Sequence, residues 1–579
     1  MSSHARPRSL PFILLFAAIL IFALALFKIA NYDIWFLLKT GELILETNSV
    51  PTSDPFSYTS FGKPWIMHEW LFCVVAELVR RHLGLDLLVI LKAVLVSLAF
   101  TITLYTAAIR AGFKRNAVIF VASFLVMAAG ASRFRFIARP HIANLLGIAL
   151  TLLIVEMFFA GRKKSLFLIP ALVLLWVNMQ AGAIICPVYI WLRLFSESIS
   201  RRLRREAGDA PGPNLRPLLT VALAATGILF INPYGARVFD FIVAAIWEHG
   251  AGGGITVQEW LPPDARFKLF WVLLVVVWGS FIAGIKRRRL SDWAEIALAT
   301  ALVLSARRYI PVFFLLTIPL FGRIVSEWWF LTRSPFRRLR MDLLAAPMLA
   351  LACVISVFAN YGPFVPGVGV NLRAFPHGAV EFVIKNNVTG NMYNSHRFGG
   401  YIIYRTYPER KVFVDGRNVV HKELWREFAT RPFEQIADGY GVDYAIVDLA
   451  YDSRLRDFSA HSFRAAVNRP DSPQAQRLVD WWNRHRGWHL VFWDDNSAVY
   501  VDGSEKFKAL RDQFEYRFID PAAPGLDYLI RYLSDKDTRE MVIDEAERAA
   551  NQSPNAISCL ALYARLASVS SPMGMTPSE

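Results

Sequence analysis

The first 359 residues alternate between long apolar blocks and short polar loops. The blocks hold about 13–25 residues each, and a helix that crosses a bilayer needs about 20. The pattern therefore predicts an α-helical polytopic membrane domain with about eleven spans. The predicted spans are 11–30, 85–109, 116–131, 141–160, 165–177, 182–194, 217–232, 268–285, 293–305, 309–323 and 341–359.

The basic residues orient these spans. With the N-terminus in the cytoplasm, the inner loops hold about 23 Lys and Arg and the outer loops about 11, in roughly equal lengths of chain. The net charge is +16, and the excess lies in residues 1–359, which carry about +18 against about −2 for the rest. A basic surplus confined to the apolar part is typical of membrane topology. It argues against nucleic-acid binding, which would need a basic soluble domain.

Residues 166–195 permit two interpretations. They form either one long tilted helix or two short helices that meet near Asn178-Met179-Gln180. One helix would put the basic cluster Arg201–Arg205 on the outer side, whereas two helices keep it inside. Each short helix would have about 13 residues, or roughly 20 Å, and would need a protein-walled cavity around it.

Residues 360–579 are more charged, and strand and helix patterns alternate along them. We predict an extracytoplasmic α/β domain over 360–525 and a helical C-terminal segment over 526–579, after a membrane domain over 1–359 with a long first outer loop at 31–84. Buried strands are predicted at Lys411–Asp415, Tyr444–Asp448 and His489–Trp493, and helices at Ala379–Lys385, Lys422–Thr430 and Gln474–Arg484.

Polar and aromatic residues collect in the outer loops. Ionisable side chains beside a bilayer are costly unless they pair or line a water-filled cavity. Because five loops carry such residues at one predicted membrane face, a single cavity lined by all five is the simplest arrangement. The candidate residues are Asp33, Asp54, His68, Glu69, Arg135, Arg139, Asn178, Glu259, Trp260, Arg307, Arg308 and Tyr309.

Three carboxylates and a histidine of the first loop are candidates for the chemistry. Asp33 follows the first span, where it is either a general base or metal ligand or a helix-end residue that faces water. His68 and Glu69 lie on a predicted amphipathic helix and are either site residues or part of a solvated face. Asp54 precedes a proline and is either a site residue or a turn cap.

The other candidates suit a phosphorylated sugar donor. The planar forks of Arg307 and Arg308 match phosphate oxygens, as do those of Arg135 and Arg139, and headgroup snorkelling is the alternative. Outer arginines run against the positive-inside bias. Asn178 would hold sugar hydroxyls or form a hairpin turn. The pair Glu259 and Trp260 would form a sugar platform or anchor the chain at the interface, and Tyr309, which follows the two arginines, is a further substrate-binding candidate.

Several stretches resemble the GT-C class of membrane glycosyltransferases, many-helix enzymes that take sugar from a polyprenyl-phosphate carrier. They are similar to a bacterial GT-C-like family near the protein mannosyltransferase and lipid A aminoarabinose transferase relatives. The similar stretches are Asp33–Glu42, Val50–Tyr58, Pro64–Leu71, Arg139-Pro140, Trp176–Asn178, Asn232–Gly235, Glu259-Trp260, Ala306–Tyr309, Gly399–Tyr401 and Val414–Arg417.

The resemblance implies an inverting transfer from a polyprenyl-phosphate sugar to an extracytoplasmic glycan, lipid or protein acceptor. Asp33 matches the acidic residue of the first loop in this class, and Glu69 falls where relatives often place a second acidic group. The chain departs from the pattern in having no Asp-x-Asp or Asp-Glu pair after the first helix and no Trp-Trp-Asp sequence in the tail. Metal dependence and an asparagine acceptor are therefore unsupported.

The expected location is the bacterial inner (plasma) membrane, with several spans, a cytoplasmic N-terminus and an extracytoplasmic tail. No cofactor is required by the sequence, and a divalent cation, Mg²⁺ or Mn²⁺, is the one left open. Two rival functions also fit a polytopic chain. One is a lipid or saccharide transporter or flippase, which would carry midplane charges and inverted repeats. The other is a non-catalytic cell-envelope scaffold with the same fold.

Overall fold

The computed structural model describes residues 9–112, 115–206, 214–240, 243, 258–331, 341–358, 364–449, 482, 487–521 and 527–570. The chain divides into two compact units. We call Met1–Ile29, Thr40–Val50 and Ile66–Val370 the helical unit, and Ala30–Lys39, Pro51–Trp65 and Asn371–Glu579 the tail unit. Two pieces of the predicted first outer loop thus belong to the tail unit. The predicted domain boundaries stay predictions.

The apolar blocks form helices at each of the eleven predicted segments. The first of these helices ends at Ala25, earlier than predicted, because Phe27 and Ile29 instead form single β-bridges with Pro366 and Val370. Among the residues that the structure describes, the first twelve helices are α1 (Leu10–Ala25), α2 (Asp33–Thr47), α3 (Trp70–Arg110), α4 (Arg115–Ser132), α5 (His141–Phe159), α6 (Leu168–Met179), α7 (Ile185–Glu206), α8 (Arg216–Ile228), α9 (Lys268–Ala283), α10 (Leu290–Ser305), α11 (Ile310–Leu331) and α12 (Met341–Phe358).

Within the described ranges, five helices are long and apolar enough to cross a membrane. Other apolar helices are shorter than 18 residues. The helical unit is therefore a membrane-spanning structure, while the number of eleven spans stays a prediction. The five are Trp70–Arg110, Asn116–Arg135, His141–Phe159, Ala181–Leu203 and Arg307–Glu327.

The chain between residues 166 and 195 breaks into two helices. Helix α6 ends at Met179, and Gln180 takes an extended conformation (φ −166°, ψ 133°) before a short 3-10 turn leads into α7. The Gln180 side chain accepts a hydrogen bond from the Gly182 backbone N–H at 2.6 Å, which satisfies a donor that the break leaves open. The structure therefore shows two helices in this segment, with a break at Gln180.

Close helix packing fixes the core of the helical unit. Helix α3 packs against α1, α5 and α11, and α4 packs against α11 and α12. A Cβ added at Gly130 would lie closer than 3.0 Å to Ser356 of α12, whose hydroxyl donates to the Val126 carbonyl at 3.1 Å. Small residues at such crossings let two backbones approach, as is typical of membrane helix pairs.

The tail unit contains a four-stranded mixed sheet in the order β1-β2-β4-β3 among its described residues. Strands β1 and β2 are parallel, and the other two pairings are antiparallel. The predicted strands at 444–448 and 489–493 are confirmed, since β2 and β3 contain them. The strands are β1 (Met392–Asn394), β2 (Tyr444–Asp448), β3 (Trp488–Trp493) and β4 (Ser497–Asp502).

The predicted strand at Lys411–Asp415 is wrong. Only Val412 pairs, in a single bridge with Ser57, because this segment crosses the first-loop piece 51–65 instead of joining the sheet. The predicted helix at 474–484 lies outside the described residues apart from Trp482. The tail helices are α13 (His377–Lys385), α14 (Gly399–Thr406), α15 (Lys422–Thr430), α16 (Phe433–Gly439), α17 (Lys508–Phe514), α18 (Ile530–Leu533), α19 (Lys536–Gln552) and α20 (Ile557–Ser570).

Candidate functional site

Three arginines surround one carboxylate at an end of the helical unit. Arg135 and Arg139 lie in the connection between α4 and α5, Arg308 directly precedes α11, and Glu259 lies in a short 3-10 turn. Glu259 hydrogen-bonds to Arg135 through Oε2, which is also 3.4 Å from Nη1 of Arg139, and its Oε1 is 3.7 Å from Nη1 of Arg308. We call these four residues the three-arginine cluster. Three of the predicted outer loops meet in it.

The four residues of the cluster carry a net positive charge. Among the described residues it has three positive groups and one negative group. Burial would raise the pKa of Glu259, but the charges of Arg135, Arg308 and Arg139 outweigh burial and hold this pKa well below its usual range. Glu259 is therefore ionised at neutral pH. The side chain of Arg135 is only 5% exposed, and its Nε finds no hydrogen-bond partner in the described part of the chain. Such a buried donor favours a site for an anion.

Aromatic rings and a second carboxylate complete this end of the unit. The Arg308 guanidinium lies over the ring of Trp260, 4.2 Å from its centroid, and 5.8 Å from that of Tyr309. Arg307 is buried and its Nη1 lies 3.5 Å from Asp264. The two neighbouring arginines therefore differ, since Arg308 belongs to the cluster and Arg307 pairs with Asp264. Asp264 is a residue that the sequence analysis missed.

The first and third predicted outer loops meet in a second group. Oε1 of Glu69 lies 3.4 Å from Nε2 of His68 and accepts a hydrogen bond from Gln180 at 3.4 Å. The Asn178 side chain accepts from Trp70 Nε1 at 2.9 Å and donates to the carbonyls of Leu174 and Ile231 at 2.9 and 3.0 Å. These bonds engage both ends of the Asn178 amide and favour its role in the turn.

Asp33 is the first residue of α2 and is partly buried in the tail unit. Its carboxylate lies against Gly416, where an added Cβ would come closer than 3.0 Å to Oδ1 of Asp33. Gly416 belongs to the stretch Val414–Arg417 that the sequence analysis singled out. A residue of the first loop and a loop of the tail thus meet within one unit.

Asp54 is buried in the tail unit with both carboxylate oxygens engaged. Its Oδ1 accepts from the Phe56 backbone N–H at 2.9 Å and from Arg417 at 2.6 Å, and its Oδ2 accepts from the Ser57 hydroxyl. Of the two interpretations of Asp54, site residue or turn cap, this geometry favours the turn cap. A catalytic role for Asp54 stays a prediction, as does the convergence of Asp33 and Asp54 with the candidates of the helical unit.

The residues described do not assemble a metal-binding group. No set of three or more His, Cys, Asp and Glu side chains gathers within ligand distance in the described ranges.

Several solved structures have a fold similar to that of this chain. The chain is similar to the oligosaccharyltransferase of Archaeoglobus fulgidus in the apo form, at 12% identity and a TM-score of 0.52 over 86% of this chain and 74% of that one. It is similar to AglB of the same organism, in complex with an inhibitory peptide and a dolichol-phosphate, at 12% identity and a TM-score of 0.52 over 98% and 87%. The chain is also similar to arabinofuranosyltransferase AftD from Mycobacteria, at 14% identity and a TM-score of 0.50 over 87% of this chain and 42% of that one.

No family model and no curated protein matches the sequence. At identities this low, the solved structures define the fold alone. The fold shared with these membrane glycosyltransferases agrees with the resemblance to the GT-C class that the sequence motifs carry.

Proposed function

We propose that this chain is a membrane glycosyltransferase that moves a sugar from a polyprenyl-phosphate carrier to an extracytoplasmic acceptor with inversion. The observation that carries the proposal is the three-arginine cluster, in which three arginines lie around one carboxylate among the described residues and the Nε of Arg135 is buried. Arginine forks suit the oxygens of a phosphate, and a lipid-linked phosphate reaches the depth at which membrane helices end. The fold supports the same function, since a neighbour of this fold holds a dolichol-phosphate.

The proposed reaction is a single displacement at the anomeric carbon. The acceptor hydroxyl forms the new glycosidic bond as the bond from the anomeric carbon to the phosphate oxygen breaks, and the phosphate oxygen keeps the electron pair. Asp33 accepts the hydroxyl proton as general base. Arg135, Arg139 and Arg308 stabilise the charge that develops on the leaving lipid phosphate.

The remaining candidates take binding roles in this proposal. Trp260 and Tyr309 offer aromatic faces beside Arg308 on which a sugar ring can stack. Glu69 and His68 are candidates to orient the acceptor, and Arg307 pairs with Asp264 at the edge of the phosphate site.

A transfer assay tests the proposal. Purified protein is incubated with radiolabelled polyprenyl-phosphate sugars and a panel of glycan, lipid and peptide acceptors. We expect a covalent product with inverted configuration that the D33N variant does not form. Passage of the donor across proteoliposomes without a covalent product would support a transporter instead. Absence of both binding and product with every donor would support a scaffold.

A further inference from the structure

Three glycines allow close approach around Asp33, one between two tail segments and two between the tail and the first loop. An added Cβ would lie closer than 3.0 Å to the Val414 carbonyl at Gly399, to the Tyr32 carbonyl at Gly400 and to Asp33 Oδ1 at Gly416. Real Cβ atoms essentially never approach so closely. At each of these glycines, therefore, a neighbouring segment fills the space that a side chain would need. Together they bring the backbone of two tail motifs against the start of α2.

Buried ion pairs and hydrogen bonds hold the residues on both sides of Gly416. Arg417 donates from Nε and Nη2 to both oxygens of Asp415 at 2.8 and 2.6 Å, and from Nη1 to Asp54 at 2.6 Å. His421 contacts Asp415 at 3.2 Å from the other side and lies 3.2 Å from the Ser60 hydroxyl. Asp54, Asp415, Arg417 and His421 are all less than 9% exposed. Breaking a buried ion pair of this kind is costly, so the loop cannot move away from Asp33 without loss of stability.

We propose that the tail loop Asp415–Arg417 positions the Asp33 carboxylate, with Gly416 as the contact and the buried Arg417 ion pairs as its support. A side chain at residue 416 would displace the Asp33 carboxylate, since the loop itself is fixed. The inference rests on the proposed function in giving Asp33 a part in the chemistry. It assigns the tail loop a direct part in positioning the proposed general base.

The test is a double-mutant cycle of Gly416→Ala and Asp33→Ala, read by thermal unfolding in detergent. We expect G416A to lower the unfolding temperature in the wild-type background and to have little effect in the D33A background, where the obstructing carboxylate is gone. Gly439→Ala in α16 is the matched control, because nothing lies within 4 Å of its Cβ position. Equal losses from G416A in both backgrounds would overturn the contact.

The kinetic part of the test uses the transfer assay. We expect G416A to lower kcat by roughly 100-fold, because small displacements of a reacting group cost about this much, with the KM for the donor changed less than about threefold. An unchanged kcat would overturn the positioning role. The unfolding cycle needs no turnover, so failure of the proposed function, seen as no transfer by the wild type, is distinguishable from failure of this inference.

Discussion

The helical unit builds two clusters of arginine and glutamate whose charge balances differ. In one, Arg110 and Arg193 pair with Glu156 and Glu295 at 2.5–2.8 Å, and all four side chains are less than 10% exposed. The three-arginine cluster instead has a single carboxylate among its described residues, 25% exposed. We call the first the balanced cluster. Both clusters consist of arginine and glutamate, so they differ in charge balance and in the exposure of their carboxylates.

Helix α5 connects the two clusters. His141 at its start donates from Nε2 to the Arg135 carbonyl at 2.5 Å, and Glu156 lies fifteen residues further on, about 22 Å along the helix. The balanced cluster satisfies its own charges with ion pairs and with Tyr189, whose hydroxyl donates to Glu295 at 3.0 Å. A set of opposite charges that balance serves packing, whereas a surplus of positive charge favours an anionic ligand.

The largest expected effect is on stability, from Glu295→Gln in the balanced cluster. Removing this charge leaves Arg110 and Arg193 with one carboxylate between them in a buried setting, which costs about 3–5 kcal/mol. Thermal unfolding of the detergent-solubilised protein measures it. The comparison is Glu259→Gln, the same change in the three-arginine cluster, for which we expect a smaller loss because this side chain is 25% exposed and water screens the arginines around it. Equal losses would remove the distinction between the clusters.

Arg308→Ala tests through enzyme activity whether the three-arginine cluster binds the donor. We expect turnover with a polyprenyl-phosphate sugar to fall about 100–1000-fold, because a group that stabilises developing charge is removed, while the unfolding temperature changes little. Initial rates at saturating donor measure it. Arg287→Ala is the control, since Arg287 is exposed. Full activity of R308A would exclude this side chain from the site.

Glu259→Gln is expected to strengthen ligand binding, whereas most substitutions in a binding site weaken it. It removes the negative charge among three arginines, so we expect tighter binding of a polyprenyl phosphate, by roughly fivefold or about 1 kcal/mol. Equilibrium binding in detergent measures the change, and high salt should reduce it. Weaker binding by E259Q would mean that Glu259 itself holds the ligand, as the sugar-platform interpretation requires.

The smallest effect is a pH dependence of stability. Because the folded-state pKa of Glu259 is depressed, its contribution is fully present above the unfolded value of 4.5 and is lost as pH falls through the folded value. The charges that face it are Arg135, Arg139 and Arg308, with His141 nearby. We expect E259Q to unfold with a shallower decline below about pH 4.5 than the wild type. Parallel curves would contradict this.

Hydropathy predicted the helical unit well because burial in lipid demands long apolar helices. Helices lie at all eleven predicted segments, and the break after Asn178 agrees with the topology argument. The strand at 411–415 failed because an apolar run does not say what it packs against. The pattern also gave no sign that α1 would end at Ala25.

Pairing between distant residues was the main element that the sequence did not reveal. Arg417 and Asp54 are 363 positions apart, and nothing in one sequence connects them. Glu156 and Glu295 stand out in apolar blocks and signal that partners must exist, but the partners Arg110 and Arg193 are ordinary loop-end or helix arginines by pattern. The grouping of Arg135, Arg139 and Glu259 followed from topology, whereas the pairing of Arg307 with Asp264 did not.

The most direct measurement compares binding of a polyprenyl phosphate with binding of the phosphate-free polyprenol, to the wild type and to R308A. If the three-arginine cluster holds the lipid phosphate, the wild type should prefer the phosphorylated lipid at least about tenfold, and R308A should lose most of that preference. Equal binding of both lipids by the wild type, or an undiminished preference in R308A, would contradict the account.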